Sequence, residues 1–196
     1  FIALVLYKDG ERRYILVPQQ VAVGDEIITS AEAKPKAGNR LPLGKIPVGT
    51  FIFNIELKPG AGARIARSAG NYAEVVAQDA GYTLVKLPSS EVRKIIGTAW
   101  ASIGAVSNEE YRLVKIGKAG RARHLGIRPK TRGSAKNAVD HPHGGGEGRS
   151  PRGHRRARTK QGRPVGKGQK TRSPKKFSNK FIVSRRKPGR LMASRK

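Results

Sequence analysis

Positive charge is distributed so unevenly along this chain that only its front part can build a hydrophobic core. Residues 1–111 carry 13 Lys and Arg against 11 acids, a balance of +2. Residues 112–196 carry 28 against two, Asp140 and Glu147, a balance of +26. Beyond Lys118 the large apolar residues thin out, and Gly, Pro, Arg and Lys take over. Such a segment buries too little apolar area in water to offset the ordering of its own backbone, so it is expected to order only against a partner. A net charge of +28 calls for a polyanionic one. Binding to an anionic membrane would favour a helix with a wide apolar face, which a tail broken every few residues by Gly, Pro or Ser lacks. Nucleic acid is therefore the expected partner and a membrane is not.

Other classes fall away quickly. The chain has no Cys, which removes disulfide frameworks and thiolate metal sites or nucleophiles. No apolar run approaches the ~20 residues needed to span a bilayer. The opening stretch from Phe1 to Tyr7 is too short for that and lacks the flanks of a signal peptide. The first residue is Phe1 rather than Met, so a truncated or processed front is expected. The length allows one or two domains, with a small core.

The front reads as all-β. Two β-rich runs flank Lys8-Asp9-Gly10-Glu11, a hairpin signal, and residues 21–28 predict a further strand broken at Gly24-Asp25. The polar stretch 31–40 is expected to be a domain boundary. Residues 50–57 predict a strand with Phe51, Phe53, Ile55 and Leu57 on one face and Asn54 and Glu56 on the other. Residues 72–78 and 82–87 flank a second turn at Asp79-Ala80-Gly81, and 92–96 and 98–106 complete a set of short, closely spaced strands. That spacing suggests a small barrel. Asn108 followed by Glu109 and Glu110 predicts a capped helix ending near Gly117.

Four motifs bear on chemistry. The run Asp140-His141-Pro142-His143-Gly144-Gly145-Gly146 holds two imidazoles inside the basic segment. The glycines are expected to let the backbone approach another surface. A metal site would need three or four ligands, and His124 and His154 lie far away in sequence. General acid–base work by His141 with Asp140 is chemically possible, but adjacent residues seldom place a carboxylate to orient an imidazole. Hydrogen bonding and stacking of the imidazoles on folded RNA is the favoured reading. Residues 162–168 superficially resemble a phosphate-binding loop, but are one residue short and put Gly168 where Ser or Thr would hold magnesium. The stretch 64–71, with Arg64, Arg67, Ser68 and Gly70, is either a polar surface turn or a barrel loop meeting phosphate and sugar. The stretch 117–124, with Lys118, Arg121 and Arg123, is either a solvated linker or a segment laid against RNA.

These residues carry a family resemblance. Residues 7–15, Ile46-Pro47-Val48-Gly49, Ala66-Arg67-Ser68-Ala69-Gly70, Gly117-Lys118-Ala119-Gly120, Arg132-Gly133, residues 139–148, Lys170-Thr171-Arg172 and Lys180-Phe181-Ile182-Val183 resemble the universal large-subunit ribosomal protein numbered two, in its bacterial or organellar form. The resemblance starts partway through the family's first barrel. It implies a partial oligonucleotide-binding barrel over 1–42, an SH3-like barrel over 43–117 and a basic irregular extension over 118–196 that threads into RNA. It further implies RNA contacts at Arg67, Ser68, Gly70 and the His141 loop, with Asp140 and His141 near the peptidyl transferase centre, and a role in joining the subunits.

Together these readings give Arg64, Arg67, Ser68, Gly70, Lys118, Arg121, Arg123, Arg132, His141, His143, Gly144, Gly145, Gly146, Arg149, Lys170 and Arg172 as the expected RNA-binding residues. No catalytic residue, resident metal or cofactor is expected beyond magnesium that accompanies RNA. The implied partners are large-subunit ribosomal RNA, neighbouring ribosomal proteins and the small subunit, in a bacterial cytoplasm or an organelle matrix. The competing readings are an RNA-modifying enzyme with a basic extension, or another nucleic-acid-binding module. The enzyme would need a cofactor loop or clustered catalytic groups in the front portion, where the sequence offers neither.

Overall fold

The computed structural model describes residues 1–148, 153–166 and 171–186. They form two compact units. One comprises Phe1–Val114 together with the segment that starts at Phe177, and the other is Lys115–Lys176.

The first unit is all-β. It opens with β1 (Ile2–Leu6) and β2 (Arg12–Leu16), paired antiparallel with Leu4 opposite Tyr14. Gly10 takes φ +86° and donates its N–H to the Tyr7 carbonyl, while the Asp9 carboxylate accepts the Glu11 N–H. That is a turn closed by a left-handed glycine, as Asp-Gly predicts. The strand expected over 21–28 does not form. Asp25 accepts the Ala22 N–H and Gly24 sits at φ +95°, which closes a turn instead. The expected boundary at 31–40 is knitted into the unit. The buried Asn39 amide accepts the Ile28 N–H and donates to the Lys34 carbonyl, and its main-chain carbonyl accepts the Ile103 N–H.

Next come β3 (Arg40–Pro42), β4 (Phe51–Phe53), β5 (Ile55–Glu56), β6 (Ala63–Ile65), β7 (Ala73–Asp79), β8 (Tyr82–Lys86), β9 (Val92–Ile96) and β10 (Trp100–Ile103). A last strand, β11 (Ile182–Ser184), returns from the basic tail. Seven of these make one antiparallel sheet in the order β11-β9-β8-β7-β4-β10-β3, and β5 pairs with β6. Ala80 and Gly81 both adopt positive φ between the paired Asp79 and Tyr82, the tight two-residue turn that matches strand twist.

The strand expected over 50–57 breaks at Asn54, which sits at φ +51° and donates its N–H to the Ala66 carbonyl. The break changes which side chains face inward. Ile52, Phe53, Ile55 and Glu56 are all buried, whereas Phe51 and Leu57 are exposed. Glu56 therefore does not face solvent. Its Oε1 accepts from Arg40 Nη2 at 3.0 Å, and its Oε2 accepts the Gly60 and Trp100 N–H groups. Arg40 Nη1 also donates to the Asn54 carbonyl at 2.9 Å. A carboxylate is tolerated inside because it is paired and fully hydrogen-bonded.

The core is formed by Leu41, Leu43, Ile46, Ile52, Phe53, Ile55, Val75, Val85 and Ile95, with smaller residues between them. Each large side chain contributes about 1.5–3 kcal/mol on burial. Beside it three chain segments touch through glycine. Gly44 donates to the Gly97 carbonyl and Gly97 to the Gly81 carbonyl, each at 2.8 Å. A β-carbon on Gly97 would lie 3.1 Å from that Gly81 oxygen, so the approach depends on its absence.

The expected capped helix after Asn108 is a short 3-10 turn, Glu109–Leu113. Asn108 is left-handed at φ 64° and makes no side-chain cap, because an N-cap needs extended backbone to aim its oxygen at the following N–H groups.

Among its described residues the second unit holds one α-helix, α1 (Ala119–His124), followed by turns. From Asn108 to the end of the described residues nothing is buried, as the scarcity of apolar residues predicts.

Candidate nucleic-acid interface

In the first unit β6 carries Arg64 and the loop from β6 to β7 carries Arg67. Ala66 is buried at φ 52° and its carbonyl holds Asn54. This tucked residue anchors the loop, and its neighbours Arg64 and Arg67 are left exposed. Arg67 Nη1 donates to the Ala63 carbonyl at 3.3 Å, which leaves most of its five guanidinium donors for an external acceptor. Ser68 is exposed and its carbonyl accepts the Asn71 N–H. Gly70 sits at φ +68° and donates to the Ser107 carbonyl. The end of β6 and the hydrogen-bonded turn after it thus present two long cations, an arrangement suited to phosphate.

In the second unit Lys118 precedes α1, and Arg121, Arg123 and His124 occupy its last turn, where cations complement the helix dipole. Gly126 at φ +78° ends the helix. Its N–H donates to the Arg123 carbonyl, and the Ile127 N–H donates to the Ala122 carbonyl. This is the glycine-terminated C-cap. Ala119, Ala122 and Gly126 are the sequence signal for it, and a reading that stopped at scarce apolar residues missed them. Lys118, Arg121 and Arg123 are all exposed.

The histidine loop folds on itself. Asp140 and His141 N–H groups donate to the Asn137 carbonyl, and the Gly144 N–H donates to the His141 carbonyl. His141 Nδ1 accepts the His143 N–H at 3.0 Å, which leaves the proton of the neutral ring on Nε2. The ring is therefore held through Nδ1 by backbone rather than by a carboxylate. His143 Nε2 accepts the Arg158 N–H at 2.9 Å. The His141 and His143 rings lie 4.8 Å apart, and His154, distant in sequence, brings its ring within 6.3 Å of His143. No sequence signal marked His154 or Arg158 as neighbours of this loop.

The glycine triplet has an internal reason. A β-carbon on Gly144 would overlap the Lys136 and Asn137 carbonyls, and one on Gly145 would lie 3.0 Å from Ala138 Cβ. Gly144 and Gly145 thus leave no room for a side chain inside the loop, a requirement separate from the expected approach of the glycine run to another surface. Gly146 takes φ +89° and is exposed. Arg132 is exposed directly ahead of a 3-10 turn at Gly133–Ala135. Arg172 is half-buried. Arg149 and Lys170 lie outside the described residues.

Among the described residues, no group of three or more His, Asp or Glu side chains is placed to hold a metal ion. No helix among them is long and apolar enough to cross a membrane.

The family described as Ribosomal Proteins L2, C-terminal domain, matches residues 36–162. The chain belongs to this family. The L2 match takes in β3 through β10, the arginine loop, α1 and the histidine loop. The β1–β2 hairpin, Lys170, Arg172 and β11 lie beyond it. Membership places the chain in the large ribosomal subunit, in a family whose role is structural. The all-β architecture of the first unit agrees with it.

Proposed function

We propose that this L2-family chain binds large-subunit ribosomal RNA, with cations of both units as phosphate ligands. One observation carries the reading. Residues 115–176 hold 20 Lys and Arg against two acids, and none of their described side chains is buried. A unit so charged, with none of its described residues buried, gains its order from a polyanion that neutralises it. Arg64, Arg67, Ser68 and Gly70 add a rigid contact from the first unit. Lys118, Arg121, Arg123, Arg132, Arg149, Lys170 and Arg172 supply the phosphate ligands of the basic part.

The reading extends to the histidine loop. Its run from Asp140 to Gly146 resembles the family's motif closely, which supports a position for Asp140 and His141 near the peptidyl transferase centre and a contribution to subunit joining. Neighbouring ribosomal proteins and the small subunit are the further partners, and magnesium accompanies the RNA phosphates. The compartment is a bacterial cytoplasm or an organelle matrix.

The test is a salt titration of affinity for large-subunit RNA with the full chain. A protein that neutralises six phosphates should lose on the order of a thousandfold in affinity between about 50 and 200 mM salt. Arg67→Ala should lower the logarithmic salt slope by about one unit while the melting temperature holds. Replacing Lys118, Arg121, Arg123 and Arg132 together by Gln should lower it by about three to four. A salt-independent affinity, or slopes untouched by these changes, would overturn the reading.

A further inference from the structure

Two aromatic rings stand on the outside of the first unit, where its core does not need them. Phe51 is 49% exposed and Tyr72 is 45% exposed, and their ring centroids lie 4.6 Å apart at an interplanar angle of 50°. Phe53, two residues beyond Phe51, is buried in the core. Phe51 sits on β4 opposite Glu74 of β7, so Tyr72 is its diagonal neighbour across the strands. A cross-strand aromatic pair stabilises a sheet somewhat, yet half of each ring remains in water.

Phe51 also forms one wall of a cleft of about 280 Å³. Pro18 and Pro35 give it flat apolar walls, and Gln19, Gln20 and Thr50 give it groups able to donate and accept hydrogen bonds. Gly104, whose N–H donates to the Phe51 carbonyl at 2.8 Å, belongs to the same lining. The volume lies just under the range of roughly 300–1,000 Å³ typical of small-molecule sites. It suits one planar ring system rather than a whole nucleotide cofactor.

We infer that Phe51 and Tyr72 form a stacking platform for a single unpaired nucleobase of the RNA, which places its edge in the cleft beside them. The inference rests on the RNA-binding reading and adds to it a contact that is not a phosphate contact. Single-stranded RNA is held by unstacked bases on aromatic faces, with hydrogen bonds to their edges. The backbone of such a nucleotide needs a cation, and the loop that ends in Tyr72 exposes Arg67, with Arg64 exposed on the preceding β6. That charge complementarity, from Arg67 in the loop and Arg64 on the adjoining β6, favours RNA over a proline-rich peptide, the other occupant an aromatic groove could take.

The test compares the full chain with Phe51→Leu, Tyr72→Leu and Tyr72→Phe. Affinity for large-subunit RNA, its salt slope and the melting temperature are measured for each. Loss of one stacked base should weaken binding at least about fivefold in the two leucine variants. The salt slope should stay unchanged because no phosphate contact is lost, and Tyr72→Phe should bind within twofold of the unaltered protein. Ultraviolet crosslinking of the unaltered complex should attach a nucleotide to the peptide carrying Phe51 or Tyr72.

Leucine variants that bind as tightly as the unaltered protein would overturn the inference while leaving the phosphate reading intact. So would a loss explained by a lowered melting temperature, or crosslinks from assembled particles that join these rings to protein. An unaltered protein that fails to bind RNA at all would overturn both.

Discussion

Gly70 packs against Glu109 so closely that a β-carbon on it would lie 2.7 Å from the Glu109 Cα. The contact ties the arginine loop to the turn that closes the first unit, and Gly70 is also at φ +68°. Two separate constraints therefore exclude any other residue there. Gly70→Ala should destabilise the unit by about 2–3 kcal/mol through backbone strain and enforced displacement. In a chain of this length that corresponds to a melting temperature lower by about 5–10 °C. RNA affinity of the folded fraction should fall as well, because Arg67 loses its fixed position. A variant with unaltered melting and unaltered affinity would show that the loop accommodates the methyl group.

The pair of Arg40 and Glu56 predicts a larger effect. Their side chains are only 18% and 10% exposed, so removing one leaves the other charge with reduced solvation inside the unit. Arg40→Met should cost about 3–5 kcal/mol. The double variant Arg40→Met/Glu56→Leu should be less destabilised than the two single changes added together, since no unpaired charge remains. It should not recover fully, because Glu56 also accepts the Gly60 and Trp100 N–H groups. Denaturant unfolding of the four proteins measures this coupling. Strict additivity would mean that the pair does not act as a unit.

For His141 the expectation is a positioning role within the proposed site. Its Nδ1 is occupied by the His143 N–H, and a β-carbon on Gly133 would overlap its ring. Both constraints fix where the ring points, and neither supplies a base to draw its proton. His141→Gln, which keeps a hydrogen-bonding side chain, should therefore retain most activity in assembled particles. Gly133→Ala, which displaces the ring, should impair assembly or activity more. Single-turnover peptide-bond formation across a pH series is the measurement. A general base contributes about 10²–10⁴ in rate. A hundredfold slower chemical step in complete His141→Gln particles, with one titration lost from the profile, would assign His141 to proton transfer instead.

Much of this protein was legible from local signals. Asp9-Gly10 and Ala80-Gly81 gave their turns because left-handed backbone is a local cost that glycine removes. The short β-rich runs flanking Asp79-Ala80-Gly81, and the run over 92–96, marked β7, β8 and β9. The charge split marked the part beyond Lys118 as too poor in apolar residues to build a core, and none of its described residues is buried; the exposed Arg67 followed from a polar stretch between strands. Asn54 shows where local signals end. Its positive φ depends on the Ala66 carbonyl that takes its N–H, and the break it makes turns Glu56 inward to meet Arg40. Asn39, in a stretch that looked like a linker, is buried because Ile28, Lys34 and Ile103 supply its hydrogen-bond partners. β11 pairs with β9 although ~90 residues separate them, and the edge it covers exists only once the sheet is built. Composition and spacing determined which segments could form strands, turns and a charged surface. Which polar groups could go inside, and which glycines had no room for a side chain, was decided by tertiary contacts, because both depend on partners that folding brings from elsewhere in the chain.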